Sequence, residues 1–459
     1  MATVTPLPID LARVDALIEL EEADFTKRHS RSVALTARAR RSLAGGVASS
    51  WQDAPPHPIY IRSGAGSRIV DADGQEYVDM HNGYGVMVVG HAHPAVVQAV
   101  QARIALGSHF AQPTEQDLLP VSEALQERFG LPLWRFGNSG TEATLDAVRL
   151  MRAATGRDLL LKVEGTYHGH HDAVMVSVLP DPGLMGPRDH PASVPQTLGL
   201  PRAVTELTRV VPFNDLPALE RLLDELRGRV AGLIMEPIMM NIGVVAPVPG
   251  YLEGVRELTR AHDVLLAFDE VKTGATVAYG GATGLFGVQP DLICLAKAIG
   301  GGLPCGALGG TAAVMGLIAD GTIDQVGTFN GNPLTMAAAR ATLTEVLTPP
   351  AYEHLGQLHG ELARGCQAVI DQYRLPAHIA GFAAKGSVTF ADRPVRDYRD
   401  HLGIEERVTY ASWLFQHNRG VFMSPWSKQE QWTLSVQHSP ADVRRYVENF
   451  AAFAAALRT

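Results

Sequence analysis

Short, mainly apolar runs alternate with helix-length segments through the middle of the chain. Seven runs of two to five residues fit this pattern: Trp134–Phe136, Leu159–Val163, Val210–Val211, Gly232–Met235, Val264–Phe268, Leu292–Ala296 and Ala307–Gly309. Runs of this length with helices between them are typical of buried parallel strands. The pattern predicts an α/β fold with a mostly parallel seven-stranded sheet flanked by helices.

The two ends of the chain follow other patterns. An amphipathic helix is expected within the first thirty residues, where these apolar side chains fall roughly on one face: Leu11, Val14, Leu17, Ile18 and Phe25. Short strands are expected at Ile59–Ile61, Arg68–Asp71 and Glu76–Met80, because turn residues separate them. Beyond residue 340 the pattern becomes α+β, and it ends in a helix near Ala441–Leu457.

These patterns predict two domains, which suits a chain of 459 residues. Residues 89–339 form the large α/β domain. Residues 1–88 and 340–459 together form a smaller α+β domain, so that both termini contribute to it.

Composition and charge narrow the range of functions. A hydrophobic share of 46% with 19% charged residues is ordinary for a globular protein with a substantial core. The formal net charge of −9, without a basic block, argues against a nucleic-acid partner. The sequence contains no run of about 18 apolar residues, so it predicts no membrane-spanning helix. The three cysteines match no zinc or redox spacing and the N-terminus does not resemble a signal peptide, so we expect a cytoplasmic protein.

Chemically distinctive residues directly follow four of the predicted strands. They are the Gly-Asn-Ser-Gly-Thr segment 137–141, Glu236, Asp269 and Lys297. In an open α/β sheet, ligands bind at the carboxyl ends of the strands. We therefore expect a phosphate-type loop, two carboxylates and a lysine to meet at one edge of the sheet.

The segment 137–141 has the residues of a phosphate-binding loop. Backbone N–H groups, the hydroxyls of Ser139 and Thr141 and the dipole of the following helix would attract a dianion. The alternative is an ordinary helix N-cap with Glu142 in the first turn. The segment is not a Walker loop, because no Gly-Lys-Ser/Thr follows, and the chain lacks a dinucleotide glycine fingerprint.

Asp269 and Lys297 suit a pyridine cofactor. A carboxylate beside a pyridine nitrogen keeps it protonated and makes the ring an electron sink. Val271 faces the same way as Asp269 in an extended segment and could cover one ring face. Lys297 follows an apolar strand, where partial desolvation lowers the pKa of its amine for Schiff-base chemistry. The alternatives are a strand-end salt bridge and a surface lysine.

Tyr167 and His168 follow another predicted strand. An aromatic side chain there could stack on the second ring face. His168, His170 and His171 also suggest a metal site, but no further ligand cluster has matching spacing, so we expect no metal.

In order along the chain, these motifs resemble the class III aminotransferases. The matching segments are 138–143, 167–169, 236–237, 268–271, Lys297 with its glycine-rich follower, and 327–333. The segments 45–47, 90–94 and 278–281 are similar to the glutamate-1-semialdehyde 2,1-aminomutase branch. The resemblance runs from about residue 40 to the end, and it implies a fold-type I transferase that depends on pyridoxal 5′-phosphate (PLP).

The resemblance implies a role for each matching residue. Lys297 would carry the cofactor as a Schiff base and move the substrate proton, and Asp269 would pair with the pyridinium nitrogen. The other implied cofactor-binding residues are Ser139, Gly140 and Thr141 at the phosphate, Tyr167 and Val271 on the ring faces, and His168, Glu236 and Asn241 close by. Thr328 would reach the phosphate of the other subunit, which implies a homodimer with shared sites.

The substrate end departs from the aminomutase pattern. Gln52 stands where an arginine would bind the substrate carboxylate, and a neutral amide cannot replace a guanidinium. Residues 45–52 contain no arginine, so the clamp of β-amino acid aminotransferases is not visible either. Lys272 replaces a commoner methionine. The expected substrate-binding residues are Trp51, Gln52, Tyr84 and Glu430, although the region around Glu430 with Trp426 and Trp432 could equally be core.

The function expected first is an aminotransferase. It would move an amino group between an amino acid or amine and a 2-oxo acid, by a ping-pong mechanism through pyridoxamine phosphate. The alternative is intramolecular amino transfer of the glutamate-1-semialdehyde aminomutase kind, or epimerisation, on the same machinery. A non-catalytic homologue and a nicotinamide-dependent dehydrogenase are less favoured.

Overall fold

The computed structural model describes residues 7–424 and 431–458. Near the N-terminus, β1 (Ile61–Ala65), β2 (Arg68–Asp71) and β3 (Glu76–Asp79) form an antiparallel meander. The strand predicted at Ile59–Ile61 was misplaced, because it starts at Ile61 and continues through an exposed, polar edge that an apolar pattern cannot detect.

A seven-stranded sheet lies at the centre of the chain. Its strands are β4 (Leu133–Gly137), β5 (Leu159–Val163), β6 (Thr208–Val211), β7 (Val230–Met235), β8 (Leu265–Asp269), β9 (Leu292–Ala296) and β10 (Gly306–Gly310). The spatial order is β4-β10-β9-β8-β7-β5-β6, with β10 antiparallel to both neighbours and the other pairs parallel. All seven predicted strands and the mostly parallel α/β sheet are confirmed.

Further strands lie towards the C-terminus. They are β11 (His378–Phe382), β12 (Lys385–Thr389), β13 (Val421–Phe422) and β14 (Trp432–Thr433). β11, β12 and β14 form an antiparallel sheet, whereas β13 pairs in parallel with β3. Trp432 is fully buried in the core, as the second of the two expectations for this region allowed.

Helices pack on the sheets. The α-helices are α1 (Leu11–Arg28), α2 (Ser30–Ala39), α3 (Asn82–Gly85), α4 (Pro94–Ile104), α5 (Glu115–Phe129), α6 (Gly140–Thr155), α7 (Arg202–Thr205), α8 (Leu216–Glu225), α9 (Tyr251–Ala261), α10 (Gly281–Phe286), α11 (Ala312–Ala319), α12 (Pro333–Arg340), α13 (Pro349–Tyr373), α14 (Tyr398–His401), α15 (Glu406–Asn418) and α16 (Pro440–Ala456). Within residues 7–424 and 431–458, no helix is long and apolar enough to cross a membrane.

Both faces of the central sheet are covered. In β7, Leu233 packs in one apolar cluster with α8 and α9, and the next residue, Ile234, packs in another with α6 and α11. Alternate side chains of a strand point to opposite faces. The near-continuous apolar strands that predicted this sheet are therefore explained by helices on both of its sides.

The helix expected within the first thirty residues ends at Arg28. α1 and its apolar face are confirmed, but the buried side chain of His29 interrupts the helical run and α2 follows. His29 Nδ1 bonds to the carbonyl of Phe25 at 2.6 Å, and its Nε2 to the Tyr77 hydroxyl at 2.7 Å. These bonds fix the end of α1 against β3.

α1 also joins the two ends of the chain. It packs against α15, where the buried Glu21 carboxylate accepts hydrogen bonds from Arg419 Nη2 at 2.9 Å and from Asn418 Nδ2 at 2.7 Å. The termini therefore lie together, although the domain boundaries at residues 88 and 339 stay a prediction.

We predict that Glu21→Ala lowers the free energy of unfolding by about 2–3 kcal/mol, because it leaves the Asn418 amide and the Arg419 guanidinium without their buried acceptor. Glu19→Ala is the matched control, since Glu19 is exposed on the same helix, and it should change stability by less than about 0.5 kcal/mol. Equilibrium denaturation and amide exchange of α1 measure both effects. Equal stability of the two variants would contradict the prediction.

Candidate active site

The register of the central sheet brings the predicted site residues to one edge. β7 and β8 pair Met235 with Phe268, and β8 and β9 pair Asp269 with Cys294. The residues that follow these strands, Glu236 and Lys297, therefore emerge beside Asp269. They line a cavity of about 350 Å³.

The N-terminus of α6 forms one end of this cavity. Ser139 is the N-cap, and its side-chain oxygen accepts the N–H of Glu142 at 3.2 Å, so its own O–H keeps its proton to donate. The N–H groups of Gly140 and Thr141 belong to the first turn, where a helix offers no internal acceptor. These donors and the helix dipole suit a phosphate dianion.

Two glycines keep this end bare. A Cβ on Gly140 would lie 2.9 Å from Val271 Cγ2, and a Cβ on Gly169, whose φ is +94°, would lie 2.5 Å from Thr141 Oγ1. Only glycine fits both positions without displacing the loop. The expected phosphate loop therefore packs closely against Val271 and the segment of Gly169.

Asp269 is buried and has two donors. His168 Nδ1 donates to Oδ2 at 2.8 Å, and the N–H of Val271 donates to Oδ1 at 3.0 Å. His168 is itself buried, and its Nε2 has no hydrogen-bond partner in the described part of the chain. The orientation of the carboxylate is thus set by a histidine and by the backbone of its own strand end.

Glu236 organises the opposite wall. Its carboxylate accepts the N–H of Tyr167 at 2.9 Å, the N–H of Met240 at 2.7 Å and Asn241 Nδ2 at 2.8 Å. The segments that carry Tyr167 and Asn241 are therefore tied to the end of β7. Burial and the charge of Asp269 raise the pKa of the Tyr167 phenol, so this ring stays neutral.

Lys297 has an unusual backbone conformation. Its φ is +53°, in the left-handed region, at the junction between β9 and a 3₁₀ turn, Lys297–Gly300. Such a conformation costs a non-glycine residue on the order of 1 kcal/mol or more. Burial lowers the pKa of its amine, and the carboxylates of Asp269 and Glu236 oppose that shift.

Trp51 and Tyr84 also line the cavity and contact each other. The Tyr84 hydroxyl donates to the Trp51 carbonyl at 2.8 Å, and the two rings meet edge to face with centroids 4.9 Å apart. The Trp51 ring also lies 5.2 Å from that of Tyr167. Two expected substrate residues are thus placed in the site.

Gln52 and Thr328 do not line this cavity. Gln52 is exposed, and its Oε1 accepts the N–H of Ala48 at 3.1 Å, so it braces its own loop. Thr328 is exposed and lies outside the cavity lining. Glu430 lies outside the described residues.

Sequence reasoning missed two lysines at the substrate end. Lys272 lines the main cavity and a small adjoining one, and Lys385 lines the adjoining one. Burial and the charge of Lys297 lower the pKa of Lys272 to about 7. Lys272 was noticed only as a departure from a family pattern, whereas Lys385 comes from a segment that carries none of the matching motifs.

The residues present fit PLP. A buried carboxylate, a half-buried lysine, a bare helix N-terminus and the side chains of Val271 and Tyr167 surround one cavity, whose volume is in the range of small-molecule sites. The buried, unpartnered Nε2 of His168 is a further sign that this cavity is built for a polar ligand. Within the described residues, no group of three or more side chains is arranged to hold a metal ion.

Comparisons with known proteins agree with this geometry. The family model described as aminotransferase class-III matches residues 49–419. A glutamate-1-semialdehyde 2,1-aminomutase 2 from Brevibacillus brevis is 38% identical over 91% of this chain and 96% of its own length.

Solved structures show the same fold. An omega-transaminase from Sphaerobacter thermophilus is 35% identical with a TM-score of 0.88, over 93% of this chain and 98% of that one. A glutamate-1-semialdehyde aminomutase from Pseudomonas aeruginosa is 32% identical with a TM-score of 0.89, over 98% of this chain and 100% of that one. The chain therefore belongs to the class III aminotransferase family and is a fold-type I enzyme that uses PLP.

Proposed function

We propose that the enzyme moves an amino group within one substrate, as an aminomutase of the glutamate-1-semialdehyde kind. The relatives that carry this name support the proposal, because they match nearly the whole chain at 38% identity. The observation that carries amino-group transfer in general is the meeting of Lys297, Asp269 and the N-terminus of α6 in one cavity. The expectation of an aminotransferase becomes the second candidate.

When bound, PLP supplies an electron-accepting ring that stabilises negative charge on the substrate carbon. The chain's own residues provide position and proton transfer. The Nζ of Lys297 holds the cofactor and moves the proton at the substrate carbon, a task suited by the lowered pKa of its amine. Asp269 pairs with the ring nitrogen, and His168 is a positioning residue that orients the Asp269 carboxylate.

The remaining residues hold and cover the cofactor. Ser139, Gly140 and Thr141 bind the phosphate with their hydroxyl and N–H groups. Val271 and Tyr167, which line the cavity, would cover the two faces of the ring. Glu236 keeps Tyr167 and Asn241 in place and excludes water from that wall.

Intermolecular transamination is the second candidate. The omega-transaminase of 35% identity supports it. The composition of the cavity wall supports it as well. Its described lining contains no arginine that could form a bidentate ion pair with the carboxylate of a semialdehyde.

We predict that the PLP-loaded enzyme converts glutamate-1-semialdehyde to 5-aminolevulinate without net release of a nitrogen-free carbonyl product, because the amino group returns to the same carbon skeleton. The measurement is product analysis by mass spectrometry in a mixture with no other donor or acceptor. Release of one keto product per site from an amino donor alone, with no aminolevulinate formed, would replace the aminomutase by the transaminase. Lys297→Ala is the inactive control.

We predict that Asp269→Asn lowers kcat by about 100- to 1000-fold, because a neutral amide no longer stabilises the protonated ring nitrogen. The absorbance of the covalently held cofactor checks that Lys297 is still loaded. Asp172→Asn is the matched control, since Asp172 is exposed and lies four residues after His168, the partner of Asp269. The kcat of this variant should stay within about twofold of the natural value. Equal kcat values for both variants would remove Asp269 from the chemistry.

We also propose a cytoplasmic homodimer in which Thr328 binds the phosphate held by the partner. The exposure of Thr328 outside its own cavity supports the shared site, and three buried free cysteines suit a reducing compartment.

We predict that light scattering gives about twice the 49.3 kDa of one chain, and that Thr328→Ala weakens PLP retention about tenfold through one lost charged hydrogen bond. Retention is measured by dialysis of the loaded enzyme. A monomer with unchanged PLP retention in the variant would exclude a shared site.

A further inference from the structure

Two lysines, the half-buried Lys272 and the buried Lys385, stand near the reactive lysine, and neither forms an ion pair within the described residues. The Nζ of Lys272 donates to the Met240 carbonyl at 2.8 Å, and the Nζ of Lys385 donates to Thr433 Oγ1 at 2.8 Å. An ammonium group has three donors. Each lysine therefore has hydrogen-bonding capacity beyond the neutral acceptor it already contacts.

The carboxylates close to these lysines are engaged elsewhere. Glu236 accepts three hydrogen bonds from the opposite wall and Asp269 accepts two. Asp79 accepts the bond from His91 at 2.6 Å and two backbone N–H groups. None of these carboxylates forms an ion pair with either lysine in the described part of the chain. The charges of Glu236 and Asp269 favour the protonated form of Lys272 at longer range, so its ammonium is compensated only in part.

Other polar groups of the adjoining cavity add no negative charge. His81 Nε2 accepts the N–H of Tyr84 at 3.1 Å, and burial lowers the pKa of His81 to about 4, so it is neutral. Burial also lowers the pKa of Lys385 well below its usual range, and the charges of Lys272 and Lys297 add to that shift. An anion placed here would relieve the mutual repulsion of the lysines.

We propose that Lys272 binds the carboxylate of an amino acid substrate, with Lys385 behind it, in place of the arginine that residues 45–52 lack. This inference rests on the proposed amino-group transfer at Lys297 and names its substrate class. The substrate is an amino acid rather than a simple amine.

The size of the two cavities fixes the arrangement. The adjoining cavity holds only about 10 Å³, enough for about one water molecule. The carboxylate therefore lies in the main cavity against Lys272. Lys385 acts through its charge or through one bridging water, and Trp51 and Tyr84, which border both cavities, cover the substrate chain between the reactive carbon and the carboxylate.

The test compares Lys272→Met with Lys272→Arg in the PLP-loaded enzyme. Calorimetric titration measures the affinity for butyrate, and stopped-flow absorbance compares 4-aminobutyrate with n-butylamine as amino donors. We expect Lys272→Met to weaken butyrate binding about 10- to 100-fold and to abolish the preference for the amino acid over the amine, because one charge-assisted hydrogen bond and its charge are lost. Lys272→Arg should stay within about fivefold of the natural chain.

Lys162→Met is the matched control. Lys162 is fully buried, and burial lowers the pKa of its amine to about 7, but it donates to the carbonyls of Thr166 and Val176 outside both cavities. This variant should bind butyrate as the natural chain does.

The outcomes separate the inference from the function on which it rests. Unchanged butyrate affinity in Lys272→Met, or a natural chain that binds no butyrate and treats both donors alike, would overturn the inference. Borohydride reduction followed by peptide mass analysis reports on the function independently. If PLP is not fixed to Lys297 in the natural chain, the proposed function itself fails.

Discussion

The hydrogen-bond register among β7, β8 and β9 is the constraint on which the site depends. It sets the ends of three parallel strands level, so that Glu236, Asp269 and Lys297 meet at one edge. A shift of one residue in any of these strands would turn its side chains to the other face. Apolar clusters on both faces of the sheet oppose such a shift, so packing far from the cavity determines its chemistry.

Around that edge, the buried carboxylates of Glu236 and Asp269 are held by hydrogen bonds to neighbouring segments. Glu236 holds two separate segments of the opposite wall, and Asp269 is aimed by His168. Lys297 has a left-handed backbone conformation directly after β9. Free energy gained by folding the sheet is thus used to hold charged groups where water would otherwise solvate them better.

The sequence alone was sufficient to predict the central sheet and to place Glu236, Asp269 and Lys297 at the ends of strands that the structure brings to one cavity. A buried parallel strand appears in the sequence as a short run of apolar residues. Asp269 and Lys297 could be singled out as candidates because each directly follows such a run. The substrate end could not be predicted in the same way. Lys385 and His81 reach the site through pairing of segments that are far apart in the chain, and Gln52 was assigned by alignment of an irregular loop whose local hydrogen bonds turn it outward. β1 was misplaced for a related reason, because an exposed edge strand lacks the apolar signal.

The glycines packed around the N-terminus of α6 leave no space for a larger residue, whereas other parts of the cavity wall carry no such restriction. Besides Gly140 and Gly169, Gly306 at the start of β10 leaves no room, since a Cβ there would lie 2.3 Å from the Ser139 carbonyl oxygen. A side chain at any of these positions would collide with backbone or a packed neighbour, so selection can act there only to preserve. Trp51, Tyr84 and Lys385 come instead from a short 3₁₀ turn, from α3 and from β12, all outside the central sheet. Substitutions in these outer segments can therefore reshape one wall of the cavity without disturbing the packing around the N-terminus of α6.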